Sequence, residues 1–153
     1  MDEPDLSAAA DIDAPPHVLY AIIADYRTAH PRILPKPPFE SLTVEQGGIG
    51  AGTVIRVGIR LLGRLQLYRA TVTEPEPGRV LVETNENGYA TSFTVDPRSG
   101  GAAARVTIAT KLSGRGGIVG ALERRFVTWL LLPVYSRELE SLAAVARDPS
   151  WQR

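Results

Sequence analysis

The spacing of hydrophobic residues changes twice along this chain, and that change constrains the fold more than any other feature. Residues 15–25 carry apolar side chains at the three- and four-residue spacing of a helix. After Phe39 the spacing falls to two, and turns rich in Gly, Pro and Asn divide the chain into short segments. Helical spacing returns over about residues 117–146. The pattern predicts an α+β protein in which an antiparallel meander lies between two helical regions.

The alternation within the strands predicts which face of the sheet is buried. Ile55, Val57 and Ile59 fall on one face, and Arg56 and Arg60 fall on the other. The same reasoning predicts that two sets of side chains face the final helix. One set is Tyr68, Ala70 and Val72, and the other is Tyr89, Phe93 and Val95.

Prolines define the limits of the helical regions. Pro15 and Pro16 are typical of a helix start, and prolines at 31, 35, 37 and 38 predict an irregular segment with one short helical turn. The final helix would be about 45 Å long at 1.5 Å per residue. Pro133 is expected to kink it, because proline lacks the N–H that would bond the carbonyl of Trp129. Such a kink would widen any space between this helix and the sheet beside Trp129.

Composition narrows the classes of protein that this chain can represent. Its 153 residues fit a single domain spanning 1–153 with a core at about 6–146, and 17 basic residues balance 17 acidic ones. The zero net charge argues against a nucleic-acid partner, and no apolar run approaches the ~20 residues of a membrane span. The absence of cysteine excludes thiolate metal sites and agrees with a reducing cytosol. With no secretory signal in the sequence, we expect a cytoplasmic protein.

No motif indicates a metal, a cofactor or a catalytic triad. His17 and His30 lack the acidic neighbours of a metal-ligand pattern. The glycines at 114, 116, 117 and 120 fail the dinucleotide-binding spacing, because Val119 stands where the third glycine is needed. No serine lies in a Gly-x-Ser-x-Gly elbow.

The charges near the final helix predict an exposed face with ion pairs. In this region Glu123, Glu138 and Glu140 alternate with Arg115, Arg124, Arg125 and Arg137. Of the strand arginines at 56, 60, 64, 69 and 105, a minority could point inward and hold an anionic ligand group.

Several segments in this order resemble one known superfamily. They are Ile12–Pro15 leading into Val18–Tyr26, Gly50–Gly52, Ala70–Pro75, Phe93–Pro97, Gly100–Thr107, and the long helix from Gly117. Together they are similar to the START/Bet v 1-like (SRPBCC) superfamily, and most of all to its polyketide cyclase/dehydrase-like branch. One departure is that Ala102–Ala104 replace a Gly-Thr pair that the family often has before the last strand.

The resemblance implies a helix-grip fold. A curved antiparallel sheet of about six to seven strands would wrap around the long C-terminal helix, with short helices after the first strand. It also implies an apolar cavity between sheet and helix. Aromatic residues with a polar group suit such a cavity, and His30 lies in the proline-rich segment expected at its mouth. The predicted cavity-lining residues are His30, Tyr68, Tyr89, Phe93, Phe126, Trp129 and Tyr135.

Three functions follow from this resemblance, and the sequence leaves all of them open. The first is binding or transport of a small hydrophobic molecule such as a lipid or polyketide. The second is an enzyme of the polyketide cyclase/dehydrase kind, which would need at least two polar or titratable side chains converging in the cavity. The third is a partner-binding regulatory domain, which a cavity filled by side chains would favour. The sequence does not name catalytic residues or the oligomeric state.

Overall fold

Seven strands form one antiparallel sheet in the computed structural model, which describes residues 3–112 and 117–151. The strands are β1 (Leu6–Ile12), β2 (Phe39–Gln46), β3 (Val54–Leu61), β4 (Arg64–Glu76), β5 (Val80–Asn85), β6 (Ala90–Arg98) and β7 (Ala103–Lys111). Their order across the sheet is β1-β7-β6-β5-β4-β3-β2. Each strand from β2 onward therefore pairs with the next in sequence, and β1 closes the far edge against β7. The predicted meander and the helix-grip fold class are confirmed.

The short helices follow β1, as the prolines predict. Helix α1 (Pro16–Ala24) begins with a proline in its first turn, where a missing N–H leaves no hydrogen bond unmade. Helix α2 (His30–Ile33) is the single turn expected within the proline-rich segment.

The loop of residues 47–52 fixes the end of α1 to the sheet. Backbone hydrogen bonds join Tyr26 N to Gly48 O at 2.8 Å and Gly50 N to Ala24 O at 3.0 Å. Gly50 has a φ of 65°, and a Cβ placed there would lie 2.7 Å from Oε2 of Glu74. Glycine is therefore the residue that suits this position.

The inner face of the sheet carries the core, in the predicted register. Ile55, Val57 and Ile59 are buried on β3, as are Val106 and Ile108 on β7. Burial of each such side chain contributes about 1.5–3 kcal/mol to folding.

Helix α3 (Gly117–Ala146) is the long C-terminal helix, and its two halves differ in burial. From Val134 onward it packs into the core through Leu139, Leu142 and Val145. Before Val134 only Gly120 is buried, and the apolar stripe of this half stays exposed at Ile118, Leu122 and Phe126. The helix continues through Pro133, and the kink expected there stays a prediction. The glycines before this helix predict a loop at 113–117; residues 113–116 of it, with Arg115, lie outside the described residues, and Gly117 is the first residue of α3.

Candidate functional site

A cavity of about 460 Å³ lies between the inner face of the sheet and the part of α3 from Phe126 to Tyr135. It occupies the region where the first half of α3 does not pack onto the strands. Pockets for small molecules commonly measure ~300–1,000 Å³, so this space suits a small ligand. Its lining consists of Phe39, Ile59, Leu61, Leu62, Arg64, Gln66, Leu67, Tyr68, Ala70, Glu83, Asn85, Asn87, Tyr89, Thr91, Thr110, Leu112, Phe126, Val127, Leu130, Leu131 and Tyr135.

A second, inner pocket of about 50 Å³ adjoins this cavity. It is lined by His30, Leu34, Phe39, Leu42, Ile55, Val57, Tyr68, Glu83, Thr91, Phe93, Tyr135 and Glu138. Phe39, Tyr68, Glu83, Thr91 and Tyr135 line both spaces and form the boundary between them.

Six of the seven sequence-predicted residues line one of these two spaces. The cavity contains Tyr68, Tyr89, Phe126 and Tyr135, while His30 and Phe93 lie at the inner pocket. Contact of these residues with a ligand stays a prediction.

Trp129 lies outside both spaces, contrary to the expectation that it lines a widened cavity. Its side chain is 69% exposed. Val127 and Leu131 are α3 residues that face the cavity. Trp129 is two positions from each, and two residues turn a helix by about 200°, so its side chain projects from the opposite face.

His30 is buried at the inner pocket instead of lying at the cavity mouth. Only 1% of the residue is exposed, because α2 packs it against the rings of Tyr26 and Phe93. The centroid of the His30 ring lies 4.3 Å from that of Tyr26 and 5.6 Å from that of Phe93. Nδ1 lies 2.7 Å from the carbonyl oxygen of Ile23, and since a carbonyl only accepts, Nδ1 carries the proton and donates it. Burial lowers the pKa of His30, so the ring is neutral at neutral pH and its Nε2 has a free lone pair.

Two carboxyl groups face Nε2 of His30 across the inner pocket. Oε1 of Glu83 lies 3.6 Å from Nε2, and Oε1 of Glu138 lies 3.9 Å from it. Glu83 accepts a hydrogen bond from the hydroxyl of Tyr26 at 2.5 Å. Glu138 is 3% exposed, and burial together with the nearby charge of Glu83 raises its pKa well above the ordinary value.

Sequence reasoning missed both glutamates, although the pattern contained a signal for each. Glu83 alternates with buried Leu81 on β5, so it shares the inward face. Glu138 stands four residues from Val134 and from Leu142, on the buried stripe of α3. The prediction that Glu138 belongs to an exposed, ion-paired face is wrong.

Several hydroxyl groups contribute to the polar lining of the main cavity. The hydroxyl of Tyr135 lies 2.6 Å from Oγ1 of Thr110, which lies 2.8 Å from Oγ1 of Thr91. Within the described residues the hydroxyl of Tyr68 has no hydrogen-bond partner. Burial raises the pKa of Tyr135 to about 12 and raises the pKa of Tyr68 well above its ordinary value. Both phenols are therefore neutral groups that can donate a hydrogen bond to a ligand.

Arg64 is the only Lys or Arg that lines the cavity among the residues that the structure describes. The strand arginines at 60, 69 and 105 pair instead with Glu40, Glu45 and Asp11 on exposed faces. Arg64 forms no ion pair with any described residue, and its side chain is exposed. It is the arginine that could meet an anionic group of a ligand.

Exposed apolar side chains flank the cavity from two elements. Leu62 and Leu67, at the β3–β4 hairpin, are 67% and 59% exposed. Across from them lies the exposed stripe of α3, of which Phe126 lines the cavity. A ligand would therefore enter past an apolar rim.

Residues 3–112 and 117–151 contain neither a metal-binding cluster nor a membrane-spanning helix. No group of three or more His, Cys, Asp and Glu side chains is arranged to hold a metal ion there. No helix in that part of the chain is long and apolar enough to cross a membrane, α3 included.

Comparison with known proteins agrees with this architecture. Residues 3–147 match a family described as polyketide cyclase / dehydrase and lipid transport. Because this match covers nearly the whole sequence, the chain belongs to that family. No curated protein matches the chain.

Solved structures extend the comparison. The KanY protein (ms6282), determined by NMR in solution, is 29% identical with a TM-score of 0.78, over 92% of this chain and 94% of that one. TTHA0849 from Thermus thermophilus is 22% identical with a TM-score of 0.71, over 95% and 98%. The Zhui aromatase/cyclase from Streptomyces sp. R1128 is 12% identical with a TM-score of 0.70, over 92% of each chain. At such identities the last two likenesses show the fold alone.

Proposed function

We propose that this protein binds a small, mainly hydrophobic molecule, such as a lipid or a polyketide, in the cavity between the sheet and α3. The observation that carries the proposal is the open space of about 460 Å³ with a largely apolar lining and a few polar groups at its inner end. Apolar walls supply affinity, and placed hydroxyl or carboxyl groups supply orientation. Side chains do not fill this space. A filled space would instead favour a partner-binding regulatory domain.

A dye titration tests this proposal. N-phenyl-1-naphthylamine is uncharged at neutral pH, and its fluorescence rises when it leaves water. We expect saturable binding to the wild-type protein and binding at least tenfold weaker in Tyr68→Trp, because the larger indole occupies the cavity. The matched control is Thr73→Trp, an exposed position on the same strand, which should bind as the wild type does. Absence of saturable binding, or equal binding by all three proteins, would contradict the proposal.

A specific observation favours a second candidate, an enzyme of the cyclase/dehydrase kind. Tyr68, Glu83 and Tyr135 converge at the boundary of the two spaces, which supplies the titratable groups that such chemistry needs. The carboxylate of Glu83 could take a proton from the carbon beside a ketone. A tyrosine hydroxyl could donate a hydrogen bond to the carbonyl oxygen, where the electron pair moves.

This second candidate predicts proton exchange on a simple ketone. In D₂O, the protein should speed the replacement of hydrogen by deuterium next to the carbonyl of 4-phenyl-2-butanone, measured by NMR. Glu83→Gln should lower that rate at least tenfold, since an amide cannot act as the base. Glu86→Gln, an exposed turn position, should leave it unchanged. A rate equal to that of buffer alone would count against the enzyme.

A further inference from the structure

The inner pocket carries two carboxyl groups and no cationic side chain among the residues that the structure describes. Glu83 and Glu138 both line it, and no Lys or Arg does. The carboxyl of Glu138 accepts no hydrogen bond from any described residue, although Glu138 is only 3% exposed. A carboxyl that is almost wholly buried and has no such partner is costly, because it keeps only the little hydration that the pocket allows.

His30 does not supply the missing positive charge. Its Nδ1 proton is committed to the carbonyl of Ile23, and burial lowers its pKa. The neutral ring instead presents Nε2 as an acceptor, 3.6 Å from Glu83 and 3.9 Å from Glu138. Three acceptors, two carboxyl groups and one ring nitrogen, therefore face the same small space.

The size and chemistry of the pocket limit what can occupy it. A volume of about 50 Å³ holds a group of roughly the size of one or two water molecules. The described residues offer no metal-binding cluster. A primary ammonium group is small, positively charged and carries three N–H donors, which matches the three acceptors.

We propose that the inner pocket binds the protonated primary amine of a ligand whose apolar body fills the larger cavity. The two spaces adjoin at Phe39, Tyr68, Glu83, Thr91 and Tyr135, and the proposed ligand lies across that boundary. This inference rests on the proposed function and narrows its ligand class to amphipathic amines. An alcohol of the same shape has one donor and no charge, and a carboxylate of the same shape is repelled.

Binding of the amine should release a proton. An ammonium group beside Glu138 favours the ionised carboxylate, and the proton of its neutral form then passes to the solvent. The groups that face Glu138 from the surrounding elements are His30 of α2, Glu83 of β5, Tyr68 of β4, Tyr26 before α2, and Tyr135 of α3 itself. All five are neutral or acidic, so none of them replaces the charge of the amine.

Isothermal titration calorimetry with three probes of one skeleton tests the inference. The probes are 4-phenylbutylamine, 4-phenyl-1-butanol and 4-phenylbutanoate at pH 7. We expect the amine to bind at least tenfold more tightly than the alcohol, since hydrogen bonds to a charged group are stronger than neutral ones, and the carboxylate to bind most weakly. The heat of amine binding should differ between phosphate and HEPES buffers, which reports the released proton.

Two variants test whether Glu138 causes the preference for the amine. Glu138→Gln keeps the shape of the side chain but cannot ionise, so it should remove the preference for the amine and the buffer dependence while alcohol binding persists. The control is Glu140→Gln, an exposed position two residues along α3. Equal binding of amine and alcohol by the wild type would overturn the inference and leave the proposed function standing. Binding of none of the three probes would contradict both.

Discussion

At the scale of single residues, Glu138 is the side chain that most distinguishes this interior. A surface glutamate contributes little to stability, whereas a buried one is held neutral until the pH is high enough to ionise it. Its neighbours on the described elements are Glu83, whose charge adds to the effect of burial, and neutral His30. The residue therefore links the pH of the solution to the state of the inner pocket.

The stability of the protein should reflect this burial. The pKa of Glu138 is about 4.5 in an unfolded chain and well above that value in the folded one. Between these two values the folded state holds more protons, so the contribution of Glu138 to stability falls as pH rises above about 4.5. Glu138→Gln removes this loss, and we expect the variant to be more stable than the wild type at pH 7. The gain can grow by at most about 1.4 kcal/mol per pH unit.

Urea unfolding of both proteins at pH 4 and pH 7 measures this effect. The stabilities should converge at pH 4, where Glu138 is protonated in both states. The buried, neutral His30 lowers stability below pH 6.5 in both proteins, so the difference between the two proteins, and not either stability alone, reports Glu138. A difference between the two proteins that does not change with pH would contradict the burial of an ionisable Glu138.

Residues 30, 83 and 138 also show what the sequence could not supply. Composition and spacing place His30 in a proline-rich loop, and loops are usually exposed. Its burial depends on the packing of α2 against α1 and α3, which are tertiary contacts. Both glutamates stand at positions whose spacing from buried residues predicts burial. A charged side chain usually indicates exposure more strongly than its position indicates burial, but in this fold the position determines where both side chains lie.

At the scale of secondary-structure elements, α3 combines two roles. Its second half buries Leu139, Leu142 and Val145 and holds the helix against the rest of the core. Its first half covers the cavity, so its apolar side chains do not pack onto the sheet. Hydrophobic spacing predicts the whole helix from 117 to 146, but it does not distinguish a stripe that packs on a sheet from one beside a cavity.

The strands were more predictable than the helix faces. A strand has only two faces, so one buried residue fixes the direction of its neighbours. Ile55 and Val72 are buried in the predicted register. Trp129 on α3 was misplaced because a helical position has many possible directions, and an error of two residues reverses the face.

At the scale of the whole molecule, the order of elements carried most of the information. Helix, meander and long helix identify the family, and the seven-stranded sheet confirms the fold that the family implies. The volume and polarity of the interior did not follow from that order. They depend on how far α3 stands from the strands and on which few polar residues point inward.

The presence of a natural ligand tests the central claim most directly. Native mass spectrometry of the protein purified from its own host measures whether a small molecule travels with the chain. We predict a complex heavier than the chain alone, with a bound mass that is lost in Tyr68→Trp and kept in Thr73→Trp. A wild-type spectrum without any bound mass, or a bound mass that Tyr68→Trp retains, would contradict a ligand-binding cavity.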